Sequence, residues 1–109
     1  MKNKMNKALE LFTATPRKHN CAQATACGLG HDELYETLAA CGGGKAPGGR
    51  CGALHAAMLI AGEARAEELR RRFAAELGAE TCAELKRTLF VPCARCVETA
   101  AKLAEELGR

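Results

Sequence analysis

Apolar side chains recur every three or four residues along almost the whole of this chain, tracing one helix face after another. Met5, Ala8, Leu9 and Phe12 fall at i, i+3, i+4 and i+7 and predict an amphipathic helix over residues 1–15, ending near Thr15 and Pro16. Asn20 is a good N-cap for a short helix through Cys21, Ala24 and Cys27, which Gly28 and Gly30 stop. Asp32 reads as the cap of a further helix with Leu34, Leu38 and Cys41 on one face. The stretch GGGKAPGGR, residues 42–50, holds five glycines and a proline, and predicts a loop.

A long apolar helix is expected from Cys51 towards Gly62, and an amphipathic one from Glu67 to Leu77 with Leu69, Phe73 and Leu77 inward, closed by Gly78. Thr81 can cap a short helix carrying Cys82 and Leu85. The segment Thr88 to Pro92 reads as extended, and Pro92 opens a last helix with Cys93, Val97, Ala100, Leu103 and Leu107 at helical spacing. No second β-rich run stands ready to pair with TLFV. The expected fold is therefore all-α, a compact bundle of five to seven short helices in one domain spanning residues 1–109.

Composition narrows the classes of function. Apolar residues make up 48% of the 109, but alanine supplies much of that and only 4% are aromatic. The formal charge is +3. Basic clusters such as Arg17 with Lys18, or Arg70 to Arg72, alternate with nearby acids, which fits a solvated helix face and points to no nucleic-acid partner. The longest apolar run, Ala53 to Ala61, contains His55 and stops at Gly62 and Glu63, so no membrane span is expected. Lys4, Asn6, Lys7 and Glu10 interrupt the opening stretch as a secretion signal would not, and the expected location is cytoplasmic.

Seven cysteines then become the main chemical clue, because cytosolic proteins rarely spend cysteine on structural disulfides. Cys21 follows Asn20, Cys51 follows the glycine loop, Cys82 follows Thr81 and Cys93 follows Pro92. All four fall in the predicted first turn of a helix, where unpaired N–H groups and the helix dipole stabilise a thiolate. Arg50 and Lys45 add positive charge near Cys51. Cys93-Ala-Arg-Cys96 is a CxxC whose sulfurs share a helix face, suited to a reversible disulfide or to clamping a metal. His55 lies four residues after Cys51, so its imidazole can pair with that sulfur or join it as a ligand. Cys27 and Cys41, on apolar helix faces, read as packing residues.

Other motifs fail. A phosphate loop GxxxxGK[ST] would need glycine at Ala39 and serine or threonine at Ala46, no GxGxxG register fits, and no CxxCH is present.

The ordered elements NCAQ (20–23), GGG (42–44), RCGALHAAMLIAG (50–62), TCAEL (81–85) and PCARCVETAAKLAEEL (92–107) together resemble the redox-active C-GCAxxG-C-C family, over about residues 20–107. That resemblance implies an α-helical domain with thiol redox or metal-linked chemistry, and makes Cys21, Cys51, Cys82 and Cys93 the hallmark cysteines. Ala56 stands where the family motif has its second glycine, and Cys27, Cys41 and Cys96 are additions.

The leading expectation is a thiol redox protein, a possible thiol-disulfide oxidoreductase with no required cofactor, acting on a thiol or disulfide partner, protein or small molecule. Cys51 is its nucleophile and Cys93 its resolving thiol, with Cys96 behind it and Cys21 and Cys82 completing the site. The alternative is a metal-binding module in which Cys21, Cys51, Cys82 and Cys93, with His55 as an additional ligand, hold zinc or an iron–sulfur cluster. The third is a non-catalytic helical interaction domain with inert, buried sulfurs.

Overall fold

The computed structural model describes residues 4–15, 18–41 and 47–107. It is all-α: Lys4–Thr13 (α1), Cys21–Gly28 (α2), Gly52–Ala61 (α3), Glu63–Leu77 (α4) and Cys93–Leu107 (α5), with no strand among the described residues. The bundle expected from periodicity is thus present. The expected loop residues 42–46, Lys45 among them, lie outside the described residues, and 47–49 form a single 3-10 turn.

The apolar stripe of α5 explains its place at the centre. Cys96, Val97, Ala100, Ala101, Leu103, Ala104 and Leu107 are buried along it, and α5 packs against all four other helices. Helix α1 lies across α2 and α5, and α3 rests on α2, α4 and α5. Helix α4 contributes only Leu69 and Phe73 to the sealed core and keeps its charged face outward. Burying a side chain of that size is worth roughly 1.5–3 kcal/mol, so α4 is held largely by these two. Gly28 permits the crossing of α1 and α2, because a Cβ there would stand 2.4 Å from the Cα of Ala8.

Asn20 caps α2 as its sequence position implies. Its Oδ1 accepts the Gln23 N–H at 2.7 Å, and the Gln23 side chain accepts the Asn20 N–H at 2.9 Å, a reciprocal capping box. The amide of Asn20 also donates to the carbonyls of Leu38 and Ala39, each at 3.1 Å, and Gln23 donates to that of Tyr35 at 2.9 Å.

These bonds account for the first departure from expectation. The helix foreseen from Asp32 to Cys41 is one 3-10 turn, Asp32–Leu34, followed by turns. The Tyr35 carbonyl, which a helix would pair with the Ala39 N–H, accepts from Gln23 instead, and the Ala39 N–H turns to Glu36 at 3.2 Å. Asn20 holds the carbonyls of Leu38 and Ala39, while Leu38 still reaches the core.

The second departure lies at residues 81–92. Thr81 accepts the Glu84 N–H at 3.3 Å, as a cap should, but the turn widens to a π-helix over Glu84–Thr88. Leu89 then stays in the right-handed region and Phe90 turns left-handed at φ 55°, so the TLFVP segment is not extended. The amphipathic fourth helix begins at Glu63, four residues before the expected Glu67.

Candidate thiol site

Helix starts carry four of the cysteines to one place. Cys21 is the first residue of α2, Cys51 is the N-cap of α3, Cys82 opens the turn that becomes the π-helix, and Cys93 is the first residue of α5. Together with Cys96, one turn further along α5, they line a cavity of about 20 Å³ closed by Gly52, Leu85 and Lys86. That is room for about one water molecule or small ion. All seven cysteines of the chain are unbridged.

Two backbone contacts hold the cavity's walls together. Arg50 and Thr81 form an antiparallel bridge, and the Cys51 N–H donates to the carbonyl of Glu80 at 2.8 Å, which ties the start of α3 to the segment bearing Cys82. Arg70 reinforces that tie from α4 by pairing with the Glu80 carboxylate at 2.6 Å. Gly52 is required where α3 meets α2: a Cβ there would lie 2.5 Å from the carbonyl oxygen of Cys41 and 2.8 Å from the Cys21 sulfur.

The sulfurs differ in environment. The Cys96 thiol donates to the Cys51 sulfur, and this bond is the largest influence lowering the Cys51 pKa to about 7. The N–H groups of Leu54 and Ala53 at the start of α3 and the charge of Lys86 act in the same direction, against burial. The same hydrogen bond pushes Cys96 up, assisted by burial and by the neighbouring sulfurs. The pair therefore holds one proton between two sulfurs, with the charge on Cys51.

Exposure divides them differently. Cys51 and Cys96 are only 4% and 3% exposed, whereas Cys82 and Cys93 reach the surface in part. Lys86 donates to the Cys93 sulfur and its own pKa rises, with further contributions from Cys82 and Cys21. Cys93 and Cys21 also border an open cleft of about 650 Å³, and Cys82 borders another of about 490 Å³; Lys86 lines both.

Lys86 is the residue that sequence reasoning missed. Its signal was available: it lies four residues after Cys82 in a predicted helix, one turn above the sulfur. The sequence neighbours of Cys51 point instead to Arg50 and His55. His55 does not line the sulfur cavity but faces a separate cleft with Arg50 and Met58. Burial and the Arg50 charge lower its pKa, and its Nδ1 has no hydrogen-bond partner among the described residues.

The two cysteines read as packing residues stand outside the cavity. Cys27 is buried, and burial together with a hydrogen bond to Asp32 raises its pKa to about 11. Cys41 packs against the small cluster of Ala22, Ala26, Leu38 and Ala56.

A four-thiolate metal centre fits this arrangement poorly. Among the described residues no three His, Cys, Asp or Glu side chains are placed to hold one ion. The cavity is also far too small for an iron–sulfur cluster as it stands, and an ammonium group already occupies its rim. No helix among the described residues is long and apolar enough to cross a membrane.

No family model, curated protein or solved structure matches the chain.

Proposed function

We propose that this protein is a thiol redox protein that exchanges two electrons with an external disulfide or dithiol. The observation that carries the reading is the convergence of five cysteines from four separate helical segments on one small cavity with a lysine at its rim. The resemblance of NCAQ, RCGALHAAMLIAG, TCAEL and PCARC to the C-GCAxxG-C-C family supports the same chemistry.

Burial orders the steps. Cys51 has the lowered pKa but is too enclosed to meet a substrate, so the roles expected from the sequence are exchanged: Cys93, partly exposed and hydrogen-bonded by Lys86, attacks first and Cys51 resolves. Its thiolate forms a bond to one sulfur of R–S–S–R and expels R–S⁻, which takes a proton from water. The Cys51 thiolate then attacks the Cys93 sulfur of the mixed disulfide and expels the second R–S⁻. One external disulfide is reduced to two thiols as Cys51 and Cys93 are oxidised to a disulfide. The reverse sequence oxidises a substrate dithiol. Cys96 keeps the waiting Cys51 ionised, and the reaction requires no cofactor.

Equilibration in thiol–disulfide buffers followed by peptide mapping tests this. The expected result is a reversible loss of two hydrogens located in a Cys51–Cys93 bond and abolished by Cys51→Ser or Cys93→Ser. Seven thiols that label only on unfolding would overturn the proposal in favour of an inert helical domain. A stoichiometric zinc or iron–sulfur cluster retained on anaerobic purification, with no disulfide formed, would overturn it in favour of a metal module.

A further inference from the structure

The cleft above Cys21 and Cys93 is asymmetric in charge. Lys18, His19 and Lys86 all contribute to its lining, no carboxylate does among the described residues, and Phe12 supplies an apolar wall. The first turns of α2 and α5 both border it, so their dipoles add positive potential to that of the side chains. Its volume of about 650 Å³ lies within the range of small-molecule sites and is modest for a protein surface to fill. Because Cys21 and Cys93 line both this cleft and the sulfur cavity below, a molecule seated here lies directly over the reactive sulfurs.

We infer that the substrate taken at this cleft is an anionic low-molecular-weight disulfide or thiol, one whose carboxylate or phosphate groups sit against Lys18 and Lys86 while its sulfur reaches Cys93. The inference rests on the thiol redox reading above and adds to it the class of substrate. In the exchange the external disulfide is the oxidant: Cys93 bonds to one of its sulfurs, the other leaves as a thiolate, and Cys51 releases the second by displacement. Lys18 lies outside the sulfur cavity, so it recognises the anion without touching the exchanging sulfurs.

The test compares oxidation of the fully reduced protein by three probes: glutathione disulfide (anionic), hydroxyethyl disulfide (neutral) and cystamine (cationic). Each rate is divided by that of dithiothreitol with the same probe, to remove intrinsic reactivity. Glutathione disulfide is expected to be preferred over cystamine by tenfold or more at low salt, with the preference collapsing in 1 M salt, where the screening length is about 3 Å. Lys18→Glu is expected to slow glutathione disulfide about tenfold and to leave hydroxyethyl disulfide unchanged. Equal normalised rates for all three probes would overturn the anionic-substrate inference and leave the redox reading standing. A Lys18→Glu variant that slows all three alike would also overturn it, because the residue would then be structural. No reaction with any probe would overturn both.

Discussion

The Cys96 thiol donates its hydrogen to the sulfur of Cys51 across the contact between α5 and α3. Neither residue stands in the other's stretch of sequence, yet this bond does more than any other group to keep Cys51 ionised near neutrality. Cys96→Ala removes the donor. The Cys51 pKa is then expected to climb from about 7 towards the ordinary thiol value of about 8.5. An NMR titration of carbon-labelled cysteine would follow the Cβ of Cys51 directly, and an unchanged midpoint would refute the assignment.

Stability of the reduced protein should depend on pH with a definite sign. Cys51 has a folded pKa below its unfolded value, so its contribution is complete above about pH 8.5–9 and is lost as pH falls through about 7. His55, lowered by burial, adds to the loss below about pH 6.5. Cys27 acts in the opposite sense: its pKa is raised to about 11, so stability falls as pH rises from about 9 towards that value. Cys96, also raised, adds to this alkaline loss. Urea midpoints under reducing conditions should rise from pH 6 to about 8.5 and decline above 9. The rise should flatten in Cys51→Ala and the decline should weaken in Cys27→Ala.

Gly52, at the start of α3, faces Cys21 of α2 and the Cys41 carbonyl, and alanine has no room there. The added Cβ would meet a backbone oxygen of Cys41 and the sulfur of Cys21. Gly52→Ala is expected to cost about 1–3 kcal/mol in chemical denaturation, as overpacking does. Relief by displacing Cys21 should show as faster labelling of that thiol under native conditions. A variant as stable as the parent with Cys21 still protected would contradict the packing described.

Phe90 holds a left-handed backbone at φ 55° while its side chain is 80% exposed. A phenylalanine there bears the steric cost of that conformation, about 1–2 kcal/mol, with little burial to offset it. Phe90→Gly removes the cost but loosens the unfolded chain by roughly 0.5–1 kcal/mol, so a gain of up to about 1 kcal/mol is expected. Thermal unfolding of the two proteins at one pH would measure it. Destabilisation would show that Phe90 makes contacts that its exposure conceals.

Most helix starts and faces were legible because capping and periodicity act within a few residues. The Asn20 cap, the Pro92 start and the buried stripe of α5 all appear where spacing places them. The segment after Asp32 departs from its helical pattern for the same reason. Its helical pattern is local, whereas the bonds from Asn20 to Leu38 and from Gln23 to Tyr35 that override it span 18 and 12 residues. The π-turn at Glu84–Thr88 is likewise tied down from outside, by the Arg50–Thr81 bridge behind it and the Val91 N–H bond to Leu85 ahead of it.

The candidate site divides along that line. By itself the sequence determined that the fold is helical and that Cys21, Cys51, Cys82 and Cys93 begin helical segments, because both depend on neighbours close in the chain. Only the tertiary structure decided that these sulfurs meet, that Cys96 rather than His55 partners Cys51, and that Lys86 rather than Arg50 supplies the nearby cation. Those facts arise from how α2, α3 and α5 cross. Helix crossings are set by close contacts such as Gly28 with Ala8 and Gly52 with Cys21, between residues that the chain brings together only once it has folded.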